Sequence, residues 1–352
     1  GMAKLPETTC DRGMALVRLL HQRLQVEPEW CVWDERGFTW WGQNLAQRVW
    51  ADPCEKDDQG ETFHRLHAQT DVFDGFDDCD KHVGLLNILN HSATLSAFVI
   101  AQDAPGRVRL CSSMLLYPDN EEYVRLVFAT AVALQAAEAF ITASWIPGEL
   151  GSGLVPAGSH HPLSGERLLA DEMLGFIEAG IKPHGEGSSR YAGAVMEKLG
   201  KDLLRPPCLF ASGSTTGITA EFPHPQHSCM LRLLTEDPHP RLGSGMLATL
   251  NLPEGGDDLE TARAALSRNA REINSPTHFL GSWCATSSGL AFSAFFPNAM
   301  ANDGIPVSAA LNMIHRAKWH CEGLHGYDWA ENFVRCMERY MERLKNMGLA
   351  PS

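Results

Sequence analysis

The sequence predicts an α+β protein built from two tandem copies of one unit, helix–antiparallel sheet–helix–hairpin–helix, folded into an intramolecular pseudo-dimer. Three observations carry that expectation. The chain has 352 residues, more than one ordinary hydrophobic core accommodates. Apolar residues recur with helical and then strand spacing in the same order in both halves. The stretches "NHSATLSAFVIA" (90–101) and "NSPTHFLGSWCA" (274–285) share only their first and last residues, yet each marks a helix passing into a late hairpin.

In the first half, residues 11–24 place Met14, Leu16, Val17, Leu19, Leu20 and Leu24 on one helical face. "WCVWDERGFTWWG" (30–42) holds two apolar-aromatic runs around Asp34-Glu35-Arg36-Gly37, a hairpin signal. "QRVWA" (47–51) and "FHRLHAQTDVF" (63–73) read as strands, 81–90 as a helix, and "TLSAFVIA" with "RVRLCSSMLLY" as a hairpin. A long helix runs from Glu121 to about Trp145, with Pro147 and Gly148 at its end. The second half repeats the order: helix 188–204, strands 208–212, 217–222, 228–235 and 245–252, helix 257–273, a hairpin, and helix 306–322. Between the halves, 147–165 is rich in Gly and Pro and precedes a helix at 166–179; Tyr327–Met347 reads as a last helix with an apolar stripe from Trp329 to Met347. The expected organisation is therefore 1–146 first repeat, 147–187 linker and connecting helix, 188–326 second repeat and 327–352 C-terminal helix.

Helix 121–145 is apolar around most of its circumference (Val124, Val127, Phe128, Val132, Leu134, Phe140). One sheet cannot cover all of it, so the other repeat is the expected second cover. That requirement is the physical basis for the pseudo-dimer.

The net charge of −14 disfavours nucleic acid and anionic membrane surfaces as partners. The longest apolar run, 126–141, is interrupted by Gln135 and Glu138. The N-terminal stretch lacks a signal-peptide core, so a cytoplasmic location is expected. Ten cysteines are scattered without a C-x-x-C, which predicts free thiols rather than a disulfide framework.

Motifs for chemistry fail one by one. The glycines of "GELGSGL" follow a helix and lack the Lys-Ser/Thr of a phosphate cradle. "DVFDGFDDCDKH" offers no register with calcium ligands at positions 1, 3 and 5. His315 and His320 are five residues apart and diverge on a helix, His224 and His227 lie among prolines, and no H-E-x-x-H or G-x-S-x-G occurs. No catalytic residue, metal or cofactor is expected. What stands out is aromatic: five of nine tryptophans fall in 30–50. Adjacent Trp40 and Trp41 point to opposite faces of a strand, so at least one of them is expected to be partly exposed or to lie under a mobile element. Trp33, Trp40, Trp41 and Trp50 form the expected peptide-binding patch.

The element order, the acidic charge and the missing catalytic motif together resemble the type III secretion chaperone and YbjN-like family, with the Tir chaperone fold, over about 11–145 and 188–322. The resemblance implies a non-enzymatic, chaperone-like module that binds extended protein or peptide segments, commonly as a homodimer. Here two copies in one chain would let a monomer act as the dimer. The alternative is an enzyme or small-molecule sensor with a site between the repeats.

Overall fold

The computed structural model describes residues 11–42, 44–149, 152–158, 161 and 187–349. The fold is α+β with two antiparallel sheets. In chain order the first half forms α1 (Arg12–Arg23), β1 (Cys31–Trp33), β2 (Gly37–Trp41), β3 (Ala46–Ala51), β4 (Glu55–Lys56), β5 (Thr62–Asp74), α2 (Asp80–His91), β6 (Ala97–Ile100), β7 (Val108–Leu116), α3 (Glu121–Glu149) and β8 (Val155–Pro156). The second half forms α4 (Gly193–Asp202), β9 (Phe210–Ser214), β10 (Gly217–Pro223), β11 (Ser228–Leu234), β12 (Gly245–Leu252), α5 (Leu259–Glu272), β13 (Ser282–Thr286), β14 (Gly289–Pro297), α6 (Gly304–Trp319) and α7 (Trp329–Asn346). The helix expected at 166–179 lies outside the described residues.

The chain packs as two compact units, and neither is a contiguous half. The first draws on Gly1–His82, Leu95–Gly180 and Asn269–Leu280; the second draws on Val83–Thr94, Ile181–Arg268 and Gly281–Ser352. This departs from the expected boundaries at 146 and 188. The reason is backbone pairing, since a buried peptide group must find a partner. In the first unit Phe279 exchanges both backbone hydrogen bonds with Ser113, and Arg65 Nη1 donates to Ser275 O at 2.7 Å. In the second, Phe295 N donates to Thr94 O, and Ser282 Oγ donates to Asn90 O at 2.6 Å. The segments that change unit are the ones containing the quoted stretches' first residues, Asn90 and Asn274.

In the first unit the sheet order is β1-β2-β3-β5-β7-β6, with β4 and β8 also on β5. The side chain of Asp11 caps α1 by accepting from Met14 N. One sheet face carries α3, whose Val124, Val127, Phe128, Ala131 and Val132 are fully buried. Glu121–Ile146 is long and apolar enough to cross a membrane by length and composition, and 61% of its most apolar stretch is buried within the fold. Leu126 and Trp145 remain exposed on it. The acidic run around Asp74 divides: Asp71 and Asp74 receive Arg107, and Asp71 and Asp103 receive Arg109, at 2.6–3.0 Å.

In the second unit the order is β9-β10-β11-β12-β14-β13. This is the order of the first sheet with each strand replaced in sequence. The ladders then place residues in corresponding positions. Thr39 pairs with Arg48, which pairs with Gln69; Thr219 pairs with Arg232, which pairs with Thr249. Gly37 and Gly217 both open the second strand, and a Cβ on either would strike the backbone carbonyl of the next strand, Val49 O or Leu233 O. The C-terminal helix α7 is capped by Asp328; its expected stripe is buried at Trp329 but exposed at Met341 and Met347, and Cys336 is buried beside it.

Candidate functional site

The tryptophan patch divides into core and surface. Trp40 is 1% exposed and Trp41 7%. Neither is partly exposed, so that branch of the expectation is corrected, and neither offers a docking face. Trp40 lies on the α3 side, where its Nε1 donates to Gln47 Oε1 at 2.7 Å. Gln47 Nε2 donates in turn to Val132 O and to Gln135 Oε1, and Gln135 also engages Thr70 Oγ1, Ala68 O, Ser96 Oγ and Ser112 Oγ. A buried polar side chain costs little only when its donors and acceptors are paired, and this network pairs them. Trp41 lies on the opposite face. There the ring of buried His161 meets it edge-on at 4.7 Å.

Trp33 and Trp50 are different. Trp33 ends β1, an edge strand paired only with β2 among the described residues. It is 44% exposed and leans on His21 and Phe38, and its neighbour Val32 is 43% exposed. The exposed acids Glu27, Glu29 and Asp34 flank this edge. Asp34 also shapes the turn into β2, its Oδ1 accepting from the backbone N–H groups of Arg36 and Gly37.

Trp50 lines a depression of about 240 Å³ with Asp52, His67, Gln69, Cys111, Ile273 and Asn274. Its ring stacks on His67 at 4.5 Å, and the Arg48 guanidinium lies 4.3 Å above it. Asp52 accepts from Trp50 Nε1 at 3.1 Å and meets His67 Nε2 at 2.8 Å. Burial alone would raise the Asp52 carboxyl, but the His67 and Trp50 hydrogen bonds and the Arg65 charge outweigh it and hold it below the usual aspartate value. Burial pushes the Cys111 thiol up to about 12, so it stays protonated. The depression thus offers a stacked aromatic surface and an oriented His–Asp pair without an activated thiol beside them.

Two side-chain clusters have metal-like composition: Asp77, Cys79 and His82, and His224, Glu254 and His325. The hydrogen bonds argue against both as resting metal centres. A ligating imidazole usually donates its second ring N–H to an acceptor. His82 Nε2 does donate to Ser152 O at 2.7 Å, but its Nδ1, the nitrogen that faces Asp77, already accepts from Asp77 N and has no lone pair left for an ion. His224 Nδ1 accepts from Gln226 N, which leaves Nε2 to donate to Glu254 Oε2 at 3.0 Å. Arg268 also holds Glu254 at 2.8 Å. The second cluster is an ion-paired hydrogen-bond centre. Desolvation opposes it, but His224 and Arg268 bring the Glu254 carboxyl down to about 2.

Sequence reasoning missed the Asp52–His67 pair and the Gln47–Gln135 network. The alternation in "HRLHAQTD" does signal the first, because Arg65, His67, Gln69 and Asp71 share one strand face. No protein-family model, curated protein or solved structure matches the chain.

Proposed function

We propose that this chain is a non-enzymatic protein- or peptide-binding module of the type III secretion chaperone-like kind, a tandem duplication acting as a pseudo-dimer within one chain. The duplication is supported by the shared strand order and by Gly37 and Gly217 meeting equivalent carbonyls. The single observation that carries the binding reading is the outer edge of β1, unpaired among the described residues, with Val32 and Trp33 exposed beside it. An added extended segment would gain main-chain hydrogen bonds from the edge and side-chain contact with Trp33. The flanking acids favour a segment with alternating apolar and basic residues.

The test is fluorescence anisotropy with labelled peptides of that pattern. Trp33→Ala is expected to weaken binding about tenfold, because an aromatic contact contributes roughly 1–3 kcal/mol. The melting temperature should barely change. N-methylation of alternate peptide amides should abolish binding. Equal affinity of wild type and Trp33→Ala for every peptide bound would refute the site.

The depression at Trp50 favours a second reading, a small-molecule sensor, because it combines a stacked ring with the Asp52–His67 pair. A small-molecule thermal-shift screen in which hits vanish in Trp50→Ala, while peptide binding persists, would select it.

A further inference from the structure

The second unit contains a pair of thiols that the peptide-binding reading does not use. Cys229, near the start of β11, and Cys321, in the π-helical turn His320–Leu324 after α6, have their sulfurs 4.0 Å apart. Both are fully buried. Both are within reach of one carbonyl, Pro223 O, at 3.8 and 3.4 Å. Beside them lies Trp329, whose ring is 2% exposed and stacks on Phe222. Among the described residues its buried indole N–H has no hydrogen-bond partner of ordinary geometry, and it lies near enough to Cys321 to act on its sulfur. A neutral thiol is a weak acceptor; a thiolate or a sulfenate oxygen would satisfy that donor.

The bland alternative is two small apolar residues in a core. The other buried cysteines behave that way: burial pushes Cys111 and Cys284 up to about 12 and Cys208 up to about 11. Cys321 departs from them. Hydrogen bonds from Cys229 and Trp329 outweigh burial and the opposing charges of Glu254 and Glu322, and its thiol lies below the usual value. Burial and Cys321 push Cys229 the other way. Cys321 sits in an irregular turn and Cys229 in a paired strand, so Cys321 takes the attacking role and Cys229 the resolving one. A π-helical turn is an irregularity often found at functional positions, and here it carries the attacking residue.

We propose that Cys229 and Cys321 form a redox-sensitive dithiol that hydrogen peroxide converts to a disulfide. The Cys321 thiolate attacks one peroxide oxygen; an S–O bond forms, the O–O bond breaks, and hydroxide leaves and takes up a proton. The Cys229 sulfur then attacks Cys321; the S–S bond forms, the S–O bond breaks, and a second water leaves. Two thiols are oxidised by two electrons and one peroxide is reduced to two waters. The sulfurs must converge by roughly 2 Å to reach bonding distance. The product ties β11 to the turn that precedes α7.

The test uses the reduced full chain with graded hydrogen peroxide, followed by alkylation under denaturing conditions and peptide mapping with two proteases. The expected result is a Cys229–Cys321 linked peptide, lighter by two hydrogens and reversed by dithiothreitol, formed before exposed Cys54 is oxidised. Cys229→Ser should leave Cys321 as a sulfenic acid that dimedone traps. Both thiols remaining alkylatable after Cys54 has reacted would overturn the proposal. So would a link of either one to Cys336. The wild-type linked peptide decides the matter even if a variant fails to fold.

Discussion

The two sheets share a strand order but differ in what they bury. On the α3 side of the first sheet, Trp40, Gln47, Thr70 and Ser112 surround Gln135. The ladder positions that correspond in the second sheet are Ala220, Leu231, Leu250 and Ala294, all buried and all aliphatic. There the helix on the sheet contributes Arg316, whose guanidinium lies 3.7 Å over Phe292. One topology thus tolerates a paired amide network or an aliphatic face with a stacked cation. The strand order is set by alternation and turns, which both halves keep. The polar interior is a local choice that needs every member present.

The comparison breaks most sharply at Gln47. Gln47→Leu installs the residue that the second sheet has at that place. It should nevertheless destabilise the protein by about 2–4 kcal/mol, because the buried Trp40 N–H loses its acceptor and Gln135 loses a donor. Denaturant melts measure this. A neutral outcome would mean that the network contributes nothing and the two interiors are interchangeable.

Next comes Glu254, which has this role only in the second unit. Its folded-state value of about 2 lies below the ordinary 4.5. Its contribution is therefore complete above pH 4.5 and is lost as pH falls toward 2. At neutral pH it amounts to roughly 2–3 kcal/mol. Glu254→Gln should remove that amount at pH 7 and flatten the loss between pH 4.5 and 2. His239 adds to the acid sensitivity of the same unit. Burial brings its imidazole down to about 4, so stability is complete above its ordinary 6.5 and falls as pH drops toward 4. Melts across that range on wild type and variant separate the two.

A shared position comes third. Gly37→Ala and Gly217→Ala each push a Cβ into a backbone carbonyl. Each should cost about 1–2 kcal/mol through local strand displacement. Equal costs would sharpen the correspondence of the two halves; a free substitution at one glycine would break it.

Much of this was legible in the sequence, because element order is a local property. The hairpin at 34–37, strands 47–51 and 63–73 and the late hairpins are where alternation and turn residues put them. What stayed hidden is non-local. Residues 83–94 and 269–280 hold a helix or a helix end and the chain that follows it, and only backbone pairing with Phe295 or Ser113 assigns them to a unit. Nothing near Gln47 or Gln135 in sequence announces a partner 88 positions away. Trp40 and Trp41 misled for a related reason. Opposite faces of a strand do not require one exposed face, because His161 covers the second from far along the chain.

The smallest expected difference lies on the outer face, at the corresponding arginines Arg48 and Arg232. Arg48 donates to Asp34 at 3.0 Å and covers the Trp50 ring. Its side chain is 35% and that of Asp34 41% exposed, so solvent screens the pair. Asp34 keeps its turn bonds to Arg36 and Gly37 without it. Arg48→Met should therefore cost only about 0.5–1 kcal/mol, mostly from the lost ring contact. Arg232 is exposed, and Arg232→Met should stay within about 0.5 kcal/mol of wild type. Urea melts at low and at roughly 1 M salt distinguish the sources. A cost at Arg48 that survives high salt belongs to the Trp50 contact. A cost that disappears belongs to the ion pair with Asp34, and the outer faces then differ in charge alone.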